Sequence, residues 1–288
     1  MQESSIAVVT GSPAQISAAQ AKNNDIEVIP FTIQLNGKVF SDGVDIEPSE
    51  VYKTMRATGE MPTTAPPSIG VFYQKFKDLF DREYRNIIYL SLSKKLSSDY
   101  AAALSMAEML NSKYSDRKVH VVDSALVASP QGFLAMGAAD QVKRGKSVND
   151  VLHWLERASQ RAGLVGSLES LDFLAKGGRI GKASHLLGSI LDIIPILSVK
   201  EGEVVPLAIR RGSKGLYATI LKIVQEIIKG YQKLRIAVMH TDAPEKAAAL
   251  KDLTQATLSG EEIPVYDMTP LLGIHVGPGA FGLGYLFE

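Results

Sequence analysis

Gly177-Gly178-Arg179-Ile180-Gly181-Lys182-Ala183-Ser184-His185-Leu186-Leu187-Gly188-Ser189-Ile190-Leu191-Asp192-Ile193-Ile194-Pro195-Ile196-Leu197 is the stretch on which the reading of this chain turns. A glycine-rich turn carrying one arginine runs into a nearly continuous apolar segment. The segment is shorter than the roughly 20 apolar residues that span a bilayer, and Asp192 and Pro195 interrupt it. It is therefore expected inside a folded protein, either as core or as the wall of an apolar cavity. The two alternatives imply different functions.

Composition bounds the rest. A chain of 288 residues has room for two domains of about 100–200 residues each. The 45% hydrophobic content is enough to fill sizeable cores. Lys plus Arg and Asp plus Glu number 31 each, so the net charge is zero and the basic excess of a nucleic-acid-binding surface is missing. With no cysteine there is no disulfide, thiolate nucleophile or cysteine metal site. Met1-Gln2-Glu3-Ser4-Ser5 has neither the basic nor the apolar region of a signal peptide. These features lead to the expectation of a cytoplasmic protein with no stable membrane insertion.

Short apolar runs alternate with helical periodicity, which favours a partly parallel α/β sheet. Ile6 to Val9 reads as a first strand, and Glu27 to Leu35 as a second, closed by the hairpin signal Asn36-Gly37. Ser68 opens a helix through Glu83, with Phe72, Phe76, Leu79 and Phe80 on its inner face. Ile87 to Leu92 and Lys118 to Val122 read as buried strands, each followed by a serine-bearing turn and a helix. Ser147-Val148-Asn149-Asp150 starts a helix expected to bridge the domains. The later chain reads as a hairpin around Glu201-Gly202-Glu203, helices from about Lys214 and from Pro244, and strands at Arg235 to Met239, Ile263 to Tyr266 and near Tyr285.

Two nucleotide-binding motifs fail on context. Gly277-Pro278-Gly279-Ala280-Phe281-Gly282 matches G-x-G-x-x-G but has no room for a following helix. The Gly177 to Lys182 run is one residue short of a P-loop, and Ala183 stands where the hydroxyl belongs. The five histidines show no metal-binding spacing, and neither a metal nor another cofactor is expected. His275 stands out because Gly277-Pro278-Gly279 beside it lets backbone approach closely, and a histidine so placed can donate to an anion. Three hydroxyl-bearing turns also qualify as anion sites: Thr63 to Ser68, Ser91 to Tyr100, and Asp123-Ser124. Each could equally be a helix cap.

Taken in order, these segments resemble the DegV family, the fatty-acid-binding proteins that serve bacterial fatty acid kinase. The resemblance covers nearly the whole chain. It is carried by Val28-Ile29-Pro30 with Asp42-Gly43-Val44, Thr63 to Ser68, Leu96-Ser97-Ser98-Asp99-Tyr100, Val121-Val122-Asp123-Ser124, the Gly177 to Leu197 stretch, and His275-Val276-Gly277-Pro278-Gly279. The fold it implies is α/β: a Rossmann-like domain over 1–160 and an α/β domain with a mostly antiparallel sheet over 161–288, with a ligand tunnel between them. It further implies that a long-chain fatty acid is bound without being transformed, so that the chain is a carrier and not an enzyme. Thr64, Ser97 and His275 would hold the carboxylate, with Ser98, Gly277 and Gly279 as neighbours. Leu187, Ile190, Leu191 and Ile194 would line the acyl chain, and the carboxylate would be presented to a kinase subunit that forms the acyl phosphate. From the residues themselves, the three glycines around Arg179 are expected to leave its guanidinium exposed, to stabilise a phosphate or meet an acidic partner; a surface arginine paired locally is the alternative.

The sequence departs from the family at Gly11-Ser12-Pro13, Ser98-Asp99 and Ile194. An inward-facing Asp99 would repel a carboxylate unless it were protonated or paired. Two other functions are compatible with the residues: phosphotransfer through His275, and carriage of a different amphiphile.

Overall fold

The structure, a computed structural model, describes residues 5–59, 61–188, 193–258, 260 and 262–288. Strand β1 (Ile6–Gly11) is buried at every position, as a strand covered on both faces must be. Helix α1 (Ala18–Asn24) follows, opened by a reciprocal cap between Ser17 and Gln20, and then β2 (Ile26–Ile29). Pro30 has no N–H to give a neighbouring strand, and the chain leaves the sheet there. β3 (Thr32–Leu35) and β4 (Lys38–Ser41) form the hairpin around Asn36-Gly37. The single strand expected from Glu27 to Leu35 is thus two strands in different sheets. After α2 (Pro48–Thr58), β5 (Thr63–Ala65) pairs with β3 and sets Thr64 opposite Ile33.

Helix α3 (Ile69–Asp81) begins where expected: Ser68 Oγ accepts from Val71 N, and the four inward positions Phe72, Phe76, Leu79 and Phe80 are buried. β6 (Asn86–Ser91), α4 (Asp99–Lys113) and β7 (Lys118–Asp123) complete a four-stranded parallel sheet in the order β2-β1-β6-β7. Residues of α3 and α4 form one apolar cluster with Val9, Ile87 and Tyr89 on one face of this sheet.

Helices α5 (Ser129–Lys143) and α6 (Val148–Ser159) come next; Ser147 and Asp150 cap α6 reciprocally. Then follow β8 (Ala162–Ser167), α7 (Asp172–Lys176), a tight helical turn over Gly181–Leu186, β9 (Ile193–Lys200) and β10 (Glu203–Arg211). The chain continues through α8 (Leu216–Ile227), β11 (Leu234–His240), α9 (Pro244–Thr257), β12 (Val265–Asp267), α10 (Pro270–Val276) and β13 (Phe281–Phe287). A six-stranded sheet runs β10-β9-β8-β13-β11-β12, antiparallel except for the β11–β12 pair. Helices α8 and α9 cover its outer face.

The helix that touches both large sheets is α5, not the expected α6. Phe133, Leu134, Ala138 and Ala139 share one core with Val8 and Leu90 of the parallel sheet and with Ala237 and Leu286 of the other. Burial around nearly the whole of α5 is what a helix between two sheets requires. Small residues allow it: a Cβ on Gly137 would fall 2.0 Å from Cη2 of Trp154 on α6.

Candidate functional site

A cavity of about 1100 Å³, part of it open to solvent, lies between the two large sheets. Three of its walls come from segments that leave the parallel sheet at strand carboxyl ends: Phe31 after β2, Leu92 and Leu96 after β6, and Val127 and Ala128 after β7. Such ends are where open α/β sheets receive ligands, because backbone and side chains diverge there to leave a crevice. The opposite wall is the inner face of the six-stranded sheet. Leu197 and Val199 of β9, Leu164 of β8 and Met239 of β11 contribute side chains to it.

At the centre of that wall the side chains stop. Gly166 of β8 faces Gly282 of β13, and both line the cavity. A Cβ on Gly282 would fall 2.6 Å from Gly166 Cα, and one on Gly166 would fall 2.8 Å from the Phe281 carbonyl oxygen. The floor is therefore bare peptide, and it is bare because the strands approach too closely for a methyl group.

Six polar side chains meet the mostly apolar lining: Ser167 and Ser198 on the six-stranded sheet, and Thr64, Ser97, Arg179 and His275. The Ser167 hydroxyl is taken up by Pro195 O at 3.0 Å, and the last four are the expected site residues. Thr64, Ser97, Arg179 and His275 come from four separate segments: β5, the turn before α4, the Gly177-Gly178 turn, and the last turn of α10. Thr64 Oγ1 lies 2.9 Å from His275 Nε2. The imidazole is largely buried; burial first, and then the charge of Arg179, push its pKa down to about 4. The ring is therefore neutral at physiological pH. Among the described residues its Nδ1 has no hydrogen-bond partner. Gly177 permits the ring to sit there, since a Cβ at that position would lie 2.8 Å from Nδ1.

Ser97 Oγ accepts from Asp99 N at 3.2 Å, which leaves its own proton free to be donated. Arg179 was expected to expose its guanidinium, but it is half-buried. Its Nε donates to Leu96 O at 3.0 Å and its Nη1 to Gly177 O. The arginine thereby ties the serine turn to the glycine turn beside the histidine. The cavity thus carries two hydroxyls, a neutral imidazole and a nearby positive charge, groups of the kind that suit an anion taken out of water.

The remaining expected site residues are placed differently. Ser98 is exposed, and Gly277 and Gly279 pack against Phe173 and Glu169; none of the three lines the cavity. Leu187 is 42% exposed and Ile194 packs with the α8–α9 layer, so neither lines the cavity, while Ile190 and Leu191 lie outside the described residues. The apolar wall is supplied instead by residues such as Leu164, Leu174, Leu197, Val199 and Met239. Asp99 does not face the cavity. It is fully buried and accepts a 2.7 Å bond from the Tyr89 hydroxyl. Burial pushes its pKa up to about 7, against the Tyr89 and Leu92 hydrogen bonds that lower it.

A family model described as an uncharacterised protein of the DegV family matches residues 5–288. A DegV domain-containing protein of Caldanaerobacter subterraneus is 30% identical over 281 residues, 96% of this chain and 97% of the relative. One from Halalkalibacterium halodurans is 27% identical over 285 residues, 98% of this chain and 99% of the relative. Among solved structures, a DegV family protein from Thermus thermophilus described for its fatty acid binding is similar with a TM-score of 0.92 and 28% identity, over 98% of this chain and 99% of that one. DegV from Bacillus subtilis, described as a fatty acid binding protein, is similar with a TM-score of 0.86 and 26% identity, over 98% and 99% of the two chains.

Proposed function

The chain belongs to the DegV family, and from that premise we propose that its cavity holds one long-chain fatty acid, with the carboxylate at Thr64, Ser97 and His275. The observation that carries this reading is that those three side chains and Arg179 line one mostly apolar cavity. The fatty acid binding described for the Thermus and Bacillus proteins supports it. A saturated tail gains about 0.8 kcal/mol per buried methylene, so a long acyl chain provides ample affinity without any bond being made or broken.

The hydroxyls of Thr64 and Ser97 donate to the carboxylate. With its proton on Nε2, His275 donates to Thr64 Oγ1 and leaves the threonine proton for the ligand. The protein then acts as a carrier, presenting the carboxylate to a kinase subunit that converts it to an acyl phosphate. Arg179 stands at the same place for the incoming phosphate or the partner. Because Arg179 also holds the Leu96 carbonyl, Arg179→Ala should loosen the serine turn. We expect weaker lipid binding by isothermal titration and, separately, slower phosphorylation with the protein saturated by fatty acid. An unchanged rate under saturation would remove the phosphate role.

The direct experiment is organic extraction of purified protein, with the lipid identified and counted by mass spectrometry. About one long-chain acid per chain is the expected result. A different amphiphile would replace the ligand assignment, and no stoichiometric lipid would sink the carrier reading. Phosphate found on His275 after incubation with a phosphodonor would favour phosphotransfer instead.

A further inference from the structure

The Asp42-Gly43-Val44 turn plays no part in the site as described so far. Asp42 follows β4 and is only 1% exposed. Its backbone N–H donates to Phe31 O at 2.8 Å, on the segment that forms one cavity wall. Its Oδ1 accepts from Leu271 N at 2.9 Å, in the first turn of α10. The hydroxyls of Ser12 and Thr269 stand beside the same carboxyl and, with that N–H, work against the upward push of burial on its pKa. Of the two carboxyl oxygens only Oδ1 is hydrogen-bonded among the described residues, so the bond to Leu271 N is the one that offsets the burial. With the backbone bond to Phe31, it joins the turn after β4 to α10 and to the segment after β2.

Leu271 and His275 are four residues apart on α10, so they share a face and lie about 6 Å apart along the axis. Asp42 therefore fixes one end of a short helix whose other end carries the imidazole. Thr64 is held by the pairing of β5 with β3, and β3 leads through the hairpin to β4 and Asp42. One small sheet thus holds the threonine directly and, through Asp42, the histidine that faces it.

We propose that Asp42 is a positioning residue of the head-group site, anchoring α10 to the β3–β4–β5 sheet so that His275 meets Thr64 at hydrogen-bonding distance. This rests on the fatty-acid reading for the ligand but not for the geometry. The test is a double-mutant cycle of Asp42→Ala and His275→Ala, read as fatty-acid affinity, with the ring nitrogen shifts of His275 followed by NMR in the protein without added lipid. Asp42→Ala should lower affinity about tenfold in the native background and less than about twofold where His275 is already alanine. The His275 shifts should move in Asp42→Ala and stay in place in Asp42→Asn, which keeps the Oδ1 acceptor and should hold affinity within about threefold. Equal losses in both backgrounds, or unmoved His275 shifts, overturn the proposal. If Asp42→Ala does not fold, Asp42→Ser takes its place in the same cycle under the same criteria. Wild-type protein that binds no fatty acid would sink the functional reading alone, because the NMR arm still judges Asp42.

Discussion

The hydroxyl of Thr64 meets the His275 imidazole at the cavity wall, and a donor to a charged group is worth about 1.5–3 kcal/mol. Thr64→Val keeps the shape and removes that donor. It should weaken fatty-acid binding about tenfold or more, as should Ser97→Ala, measured by isothermal titration. The loss of affinity in His275→Ala should be the same at pH 6 and at pH 8, since His275, with its pKa near 4, is neutral throughout. Stability should not be level. His275 is lowered on folding, so its contribution is lost as pH falls from about 6.5 towards 4. Asp99 is raised to about 7, so its contribution is present below about pH 4 and lost as pH rises through 7. Asp99→Asn keeps an acceptor for Tyr89 and cannot ionise; urea denaturation should show it stabilising the protein more at pH 8 than at pH 5. An equal effect at both values would mean that Asp99 is ionised alike in the folded and unfolded chain, so that its pKa is not raised on folding. That Thr64, Ser97 and His275 share one cavity was legible because each stands in or beside a turn whose composition is distinctive. The direction of Asp99 was not, because it is set by Tyr89 on a neighbouring strand. The lining leucines were not either, since an isolated apolar residue looks the same in a core and in a cavity wall.

Helix α5 shows how elements carry the two-sheet arrangement. Gly137→Ala would drive a methyl group into the Trp154 ring and should cost about 1–3 kcal/mol, seen as a lower thermal midpoint with altered tryptophan fluorescence. An unshifted midpoint would show that α6 can retreat from α5. Local signals located most elements correctly: the Ser68 and Ser147 caps, the Asn36-Gly37 turn and the Glu201-Gly202 turn all hold. The strand from Glu27 to Leu35 was over-extended because its apolar pattern continues past Pro30, although the missing N–H was there to be read. β8 escaped notice because Gly163 and Gly166 weaken its strand pattern, and both are crowded by β13: by Tyr285 at the first and by backbone at the second. The bridging role went to α6 in the sequence because α6 has the clearer amphipathic stripe. A helix buried all round, as α5 is, has no stripe to read.

At the scale of the molecule, the cavity belongs to both large sheets, so a ligand in it adds contacts to each. A fatty acid at a hundred times its dissociation constant should stabilise the protein by about 2.7 kcal/mol and raise the thermal midpoint by several degrees relative to delipidated protein. Calorimetry showing no shift with a bound acid would mean that the acid binds the unfolded chain as well. The position of the cavity was legible in outline, since the hydroxyl-bearing turns lie beyond parallel strands. Its opposite wall was not, because it is assembled from strands distant in sequence. The bare floor at Gly166 and Gly282 has a consequence for how such a protein can diversify. Peptide backbone is the same whatever residues surround it, and here the crowding of two strands forbids its replacement by side chains. On the fatty-acid reading, any drift in the acids a descendant accepts must then be written in the flanking leucines, valines and methionines, while that bare strip of the wall stays fixed.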